Sequence, residues 1–293
     1  MRGRIVKGIG GFYYIHSYID NEIYQCKAKG IFRKNNISPV VGDEVEFEVT
    51  HAKDKEGNIV LIAPRKTFLE RPCLSNITKA FIVISVAGPK PNFFLLDKYI
   101  TFLEYKKIKI NILINKIDLD KDNYGTKIKK IYENINYKVV LVSTINKSGI
   151  DEIKDLVKNE VVAFCGPSGV GKSSIVNLLL NKNYMETGNT SKKLGRGKHT
   201  TRYSELINLD KNSYIIDTPG FTSVSVPFIN KNELAPLFRE INEFKGDCKY
   251  NYCSHIAEEN CAVKEALKKG KIEKSRYDAY VKIYRELEKR RLY

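Results

Sequence analysis

Gly166-Pro-Ser-Gly-Val-Gly-Lys-Ser-Ser174 is the stretch whose reading decides the fold. It follows the apolar run Glu160-Val-Val-Ala-Phe-Cys165 and opens the helical stretch 172–180, so it matches G-x-x-x-x-G-K-[ST] in the strand-to-helix setting which that motif requires. Glycines let backbone N–H groups turn inward around a phosphate at the positive end of the following helix. Lys172 then reaches the β- and γ-phosphates, and the Ser173 hydroxyl ligates Mg²⁺. The expected nucleotide cradle is Gly166, Pro167, Ser168, Gly169, Val170, Gly171, Lys172, Ser173 and Ser174.

Two further loops point to guanine. Asn115-Lys-Ile-Asp118 follows a strand ending at Ile114. The Asp118 carboxylate accepts a pair of hydrogen bonds that guanine offers and adenine does not, and a wrong base leaves that acceptor unpaired. The Lys116 stem can cover the base, Asn115 and Ile117 complete the loop, and Ser143-Thr144 brings a backbone N–H to the guanine O6. Asp217-Thr-Pro-Gly220 follows the strand 213–216; Asp217 holds Mg²⁺ through water and the Gly220 N–H meets the γ-phosphate. Between them lies Gly195-Arg-Gly-Lys-His-Thr-Thr201, where Thr200 or Thr201 supplies the second hydroxyl to Mg²⁺. The order is permuted: Asn115 to Asp118 precedes Gly166, whereas an ordinary GTPase runs the other way. One sheet edge carries all these loops, so rewiring the connections preserves the site. Phe221 stands where Ras-like enzymes place a water-orienting glutamine. Slow unassisted hydrolysis is the consequence, with His199 the candidate to orient water.

Around this centre, strands such as 81–86, 108–114 and 138–142 alternate with helices such as 94–105, which implies a mostly parallel sheet with helices on both faces. The first 70 residues instead alternate in period two, through 11–17, 22–28, 43–49 and 58–62, with Gly10-Gly11, Asp20-Asn21 and Glu56-Gly57-Asn58 read as turns. Four or five short strands there predict a small barrel of OB type, either gripping RNA or serving as a scaffold. Beyond residue 230 the chain reads as helical, ending in 272–290. The fold class is therefore α/β, with an OB-type barrel over 1–70, a circularly permuted P-loop GTPase domain over 71–228 and a zinc-binding helical domain over 229–293. In that last part Cys248-x₄-Cys253-x-His255-x₅-Cys261 offers three thiolates and an imidazole in a tyrosine-bearing loop, a closed ligand set for one structural Zn²⁺. Cys26, Cys73 and Cys165 are isolated thiols, and a disulfide framework conflicts with a cytoplasmic chain.

The 293 residues carry a formal net charge of +16, which points to a polyanionic partner. The basic run Lys192, Lys193, Arg196, Lys198 and Arg202 contains no acid between residues 188 and 203. The chain's start holds no apolar core for export, and no apolar run approaches the roughly 18 residues that would span a bilayer. A cytoplasmic protein without a membrane partner is expected.

These motifs, with Val41-Gly-Asp43, Arg71-Pro72, Leu194 to Thr201 and Asp217-Thr-Pro-Gly-Phe221, resemble the ribosome small-subunit-dependent GTPase family, RsgA (also called YjeQ), over essentially the whole chain. The family usually has alanine at the position of Thr144. The resemblance implies a late-acting assembly factor of the 30S subunit, stimulated by it, binding GTP/GDP and rRNA and working as a monomer. The competing readings are an RNA-binding protein that uses GTP as a latch with little hydrolysis, and an ATPase with a zinc-bearing DNA-binding tail.

Overall fold

The structure is a computed structural model and describes residues 1–30, 32, 37–70, 72–181, 204–210, 212–217 and 229–290. At the N-terminus, β1 (Arg2–Ile9), β2 (Phe12–Ser17), β3 (Ile23–Ala28), β4 (Glu44–His51) and β5 (Glu56–Ile62) pair in the order β1-β2-β3-β5-β4. The ring closes where β4 returns to β1 at Gly3↔Val45. Only β3–β5 is parallel. Period-two alternation puts Ile5, Ile15, Tyr24, Cys26, Val45, Phe47 and Ile59 inside. The expected barrel is present, and its fifth strand is β1. Arg4, next to Ile5 and so on the barrel's other face, is buried all the same, and Nη1 donates to the Gly42 carbonyl (2.9 Å) and Nη2 to Glu44 (2.6 Å).

One expected turn is wrong. Glu56-Gly57-Asn58 lies inside β5, and the chain reverses before it, at residues 52–55. Gly57 is there for close approach: a Cβ would stand 2.5 Å from the Glu48 carbonyl oxygen and 3.1 Å from Cys26 Sγ. The turns at Gly10-Gly11 and Asp20-Asn21 stand, with Asn21 at φ 61°.

Val41-Gly-Asp43 ties the barrel to the segment over residues 65–75. The fully buried Asp43 carboxylate accepts from Arg65 Nε (2.7 Å) and Nη2 (2.8 Å), Ser75 Oγ (2.6 Å) and the Val40 N–H (2.9 Å). Ser75 ends the small hairpin of β6 (Phe68–Glu70) and β7 (Cys73–Ser75). A buried carboxylate is tolerable only with this density of donors.

The second sheet holds β8 (Lys79–Ser85), β9 (Lys109–Asn115), β10 (Lys138–Leu141), β11 (Val161–Cys165), β12 (Glu205–Asp210) and β13 (Ser213–Asp217), ordered β10-β9-β8-β11-β13-β12. All neighbours are parallel except β12 against β13. Strands covered on both faces are apolar throughout. On β8, Ala80, Ile82 and Ile84 join the core under α1 (Phe93–Tyr105) and α2 (Tyr124–Glu133). Phe81 and Val83 face the opposite core with α3 (Ile150–Val157) and α4 (Lys172–Leu180). β12 also meets β1 at Glu205↔Lys7, so barrel and sheet form one continuous β surface.

The tail packs its own core. The 3₁₀ turns Lys231–Glu233 and Ala235–Leu237, α5 (Arg239–Phe244), α6 (Ala262–Lys268) and α7 (Lys274–Lys289) bury Leu234, Phe238, Ile241, Val263, Tyr280 and Ile283 together. That core receives Phe94 from α1. No helix among the described residues is long and apolar enough to cross a membrane.

Candidate nucleotide site and metal centre

Because β8, β9, β10, β11 and β13 run parallel, their carboxyl ends share one edge, the edge where ligands meet such sheets. Ser85 is in register with Asn115, and Ile114 with Leu141. The loops after β9, β10 and β11 therefore converge, although the third lies some fifty residues along the chain from the first.

Gly166 to Gly171 form the turn between β11 and α4, with Ser168 and Gly169 exposed and Val170 buried. Lys172 opens α4, and its Nζ donates to the carbonyls of Gly166 (2.8 Å) and Pro167 (2.6 Å), which holds the ammonium over the mouth of the loop. Burial pulls its pKa below the usual lysine range. Ser173 and Ser174 are half-buried in the first turn of α4.

Asn115 is fully buried and its Nδ2 donates to the Val170 carbonyl at 2.8 Å. This bond locks the loop after β9 to the loop after β11. Gly171, at φ +98°, makes room for it, since a Cβ there would overlap Asn115 Nδ2. Lys116 adopts a left-handed backbone (φ 65°) and its ammonium donates to the Gly88 carbonyl, which stretches its stem across the gap between loops. Ile117 begins a single 3₁₀ turn, Ile117–Leu119, that presents Asp118 at the surface. Ser143 Oγ donates to Asp118 Oδ1 and accepts from the N–H groups of Ile145 (3.2 Å) and Asn146 (3.4 Å), so the loop after β10 aims the carboxylate. Thr144 sits half-buried beside it.

One wall of the site was not anticipated from the sequence. Residues 86–92 receive the Lys116 ammonium, and Pro89, Lys90 and Pro91 line a small cavity with Pro167 and Val170. The signal was available in Gly88-Pro-Lys-Pro91, a stiff segment between a strand and a helix. The backbone of Asp217 ends β13 on the same edge. Its side chain, and His199, Thr200, Thr201, Gly220 and Phe221, lie outside the described residues.

In the tail, Cys248, Cys253, His255 and Cys261 bring their ligand atoms within 4.8 Å of one another. Cys248 Sγ lies 3.8 Å from Cys261 Sγ, and both sulfurs lie 3.5 Å from His255 Nδ1. A tetrahedral zinc with bonds of about 2.3 Å to sulfur and about 2.0 Å to nitrogen has S···S and S···N edges of roughly 3.8 and 3.5 Å. The donor set and its spacing fit that ion. The cluster is braced from α7, where Tyr277 donates to the His255 carbonyl (2.7 Å) and Tyr280 to that of Ser254 (2.9 Å). Glu258 accepts from Ser254 N–H (2.7 Å), Ser254 Oγ (2.9 Å) and Ile256 N–H (3.2 Å). Burial opposes its charge, but these donors prevail and hold the carboxyl down at about 2.

The RsgA GTPase family matches residues 62–227, and the RsgA N-terminal domain matches residues 2–59. The chain is 45% identical to a small ribosomal subunit biogenesis GTPase RsgA of Agathobacter rectalis, covering 100% of each. It is 44% identical to that of Clostridium acetobutylicum, again covering 100% of each. Among solved structures it is similar to YloQ, described as a circularly permuted GTPase (TM-score 0.84, 32% identity, covering 100% of this chain and 96% of that one). YjeQ from Thermotoga maritima is likewise similar (TM-score 0.85, 31% identity, 99% of each).

Proposed function

We propose a role in ribosome assembly on one premise: the chain belongs to the RsgA GTPase family and hydrolyses GTP. In this reading it serves the biogenesis of the small ribosomal subunit, is stimulated by that subunit late in assembly, and leaves after hydrolysis. Support comes from its full-length likeness to small-subunit biogenesis GTPases and from the net charge of +16. The barrel over 1–70 and the tail over 229–293 contact rRNA on either side of the GTPase domain over 71–228. The protein works in the cytoplasm as a monomer.

The observation that carries the catalytic reading is the Asn115–Val170 bond, which joins a base-reading loop to a phosphate loop. Asp118, set by Ser143, takes the guanine N–H groups; the Lys116 stem covers the base; the loop at Thr144 faces O6. Gly166 to Ser174 wrap the phosphates, with Lys172 on the β- and γ-oxygens. The Ser173 hydroxyl and the Asp217 carboxylate are hard oxygen donors suited to Mg²⁺. When bound, that ion neutralises charge growing on the phosphates. Thr200 or Thr201 adds a second hydroxyl, Gly220 contacts the γ-phosphate, and His199 orients the attacking water once the subunit is bound. Cys248, Cys253, His255 and Cys261 hold one structural Zn²⁺, which fixes the loop between them.

The test is GTP turnover by the full chain with and without purified small subunits. Turnover is expected to rise strongly with subunits, because Phe221 cannot orient water. Unchanged turnover would leave the latch reading in its place.

A further inference from the structure

Tyr252 is 91% exposed, more than any other large hydrophobic side chain among the described residues, and its neighbour Tyr250 is 49% exposed. Both belong to the four residues between Cys248 and Cys253, where the Cys253 N–H donates back to the Tyr250 carbonyl at 3.2 Å. The rings are therefore presented by a short turn braced by the Cys/His cluster, by α7 tyrosines and by Glu258. Lys249, Tyr250, Asn251, Tyr252 and Glu258 together line an open concavity. The Lys249 ammonium stands 5.5 Å from the centre of the Tyr250 ring.

We propose that this loop is a stacking site for one unpaired RNA base, with Tyr252 as the platform. A tyrosine side chain on a braced turn has only two torsions to lose on binding, and every base has a face to lay on it. The surroundings argue for RNA over protein. The rings share the concavity with Lys249, and a chain of net charge +16 favours a polyanionic partner. Charge also sets the polarity of the bound nucleotide. Its phosphate lies on the Lys249 side, away from the Glu258 carboxylate that shares the concavity. Adenine offers a wider ring face than uracil and stacks more strongly, so adenine is favoured over uracil on the Tyr252 ring.

This inference rests on the reading of the chain as an rRNA-binding factor, and its test is separable from that reading's own. End-labelled hexa-adenylate and hexa-uridylate are titrated with the full chain by fluorescence anisotropy, with metal content and GTP affinity as controls. Tyr252→Ala is expected to weaken hexa-adenylate binding roughly 5- to 100-fold, while Tyr252→Phe stays within about two-fold. The wild-type preference for adenylate over uridylate is expected to vanish in Tyr252→Ala. RNA binding by Tyr252→Ala equal to wild type overturns the proposal. So does a variant that keeps RNA affinity but loses small-subunit affinity, because that assigns the loop to a protein. Failure of subunits to stimulate wild-type turnover would instead overturn the proposed function and leave the stacking measurement standing.

Discussion

At Gly171 two demands meet in one residue. The backbone takes φ +98°, a region that costs a non-glycine residue about 1–3 kcal/mol, and the space a Cβ would need is held by the Asn115 amide. Gly171→Ala therefore strains the loop after β11 and breaks its lock to the loop after β9 together. GTP and GDP affinity are both expected to fall by about 10- to 1000-fold, the loop strain plus a lost buried hydrogen bond. Titration with a fluorescent guanine nucleotide checks this, and wild-type affinity would refute the lock. The GKS triplet itself was legible in the sequence, because phosphate chemistry asks for those residue types at adjacent positions. The partner of Gly171 was not, since Asn115 is remote along the chain.

Helix α1 is the element that both halves of the molecule hold. Its fully buried Asp97 accepts from Arg276 Nη1 of α7 at 2.5 Å and from Tyr132 of α2 at 3.0 Å. Arg276, itself 1% exposed, also donates to Glu240 of α5 at 2.6 Å. Lys98–Glu286 (2.9 Å) and Glu104–Arg239 (2.8 Å) flank this centre. Two carboxylates share one guanidinium, and Asp97 Oδ2 has no partner among the described residues. Burial, outweighing the pull of Arg276, lifts the Asp97 carboxyl to about 6. An acid raised in the folded state contributes stability that is full below its unfolded value near 4 and is lost as pH climbs through 6. The loss amounts to about 3 kcal/mol. Asp97→Asn stays neutral throughout. Its unfolding stability relative to wild type is expected to rise between pH 4 and 7, as measured by denaturant titration at each pH. Parallel pH profiles would show that Asp97 stays ionised. None of this cluster was legible beforehand: its residues sit at ordinary helix positions, and only packing reveals that they share one buried point.

At the scale of the whole molecule, barrel, GTPase sheet and tail are joined by specific contacts. His16 Nδ1 of the barrel lies 2.7 Å from the Tyr214 hydroxyl on β13, and the Arg4 guanidinium stands 5.4 Å from that ring's centre. Cys261 joins the Cys/His cluster to the tail's core, since it belongs to both, at 2% exposure. Stripping the metal with a chelator, or Cys261→Ser, is expected to open the tail to limited proteolysis while guanine-nucleotide binding persists. Loss of nucleotide binding along with the tail would mean the two are not separable units. The sequence by itself determined the P-loop GTPase class, the permuted order of its motifs, the small β-barrel and the Cys/His centre. Each arises from chemistry that dictates residue type at short spacing, or from an apolar period of two. Tertiary structure alone decided that Arg4 is buried between barrel and sheet, that Gly57 lies in a strand instead of a turn, that Arg276 finds Asp97 and that Tyr252 stands uncovered. Those outcomes depend on burial, and burial is fixed by neighbours that the chain brings together only on folding.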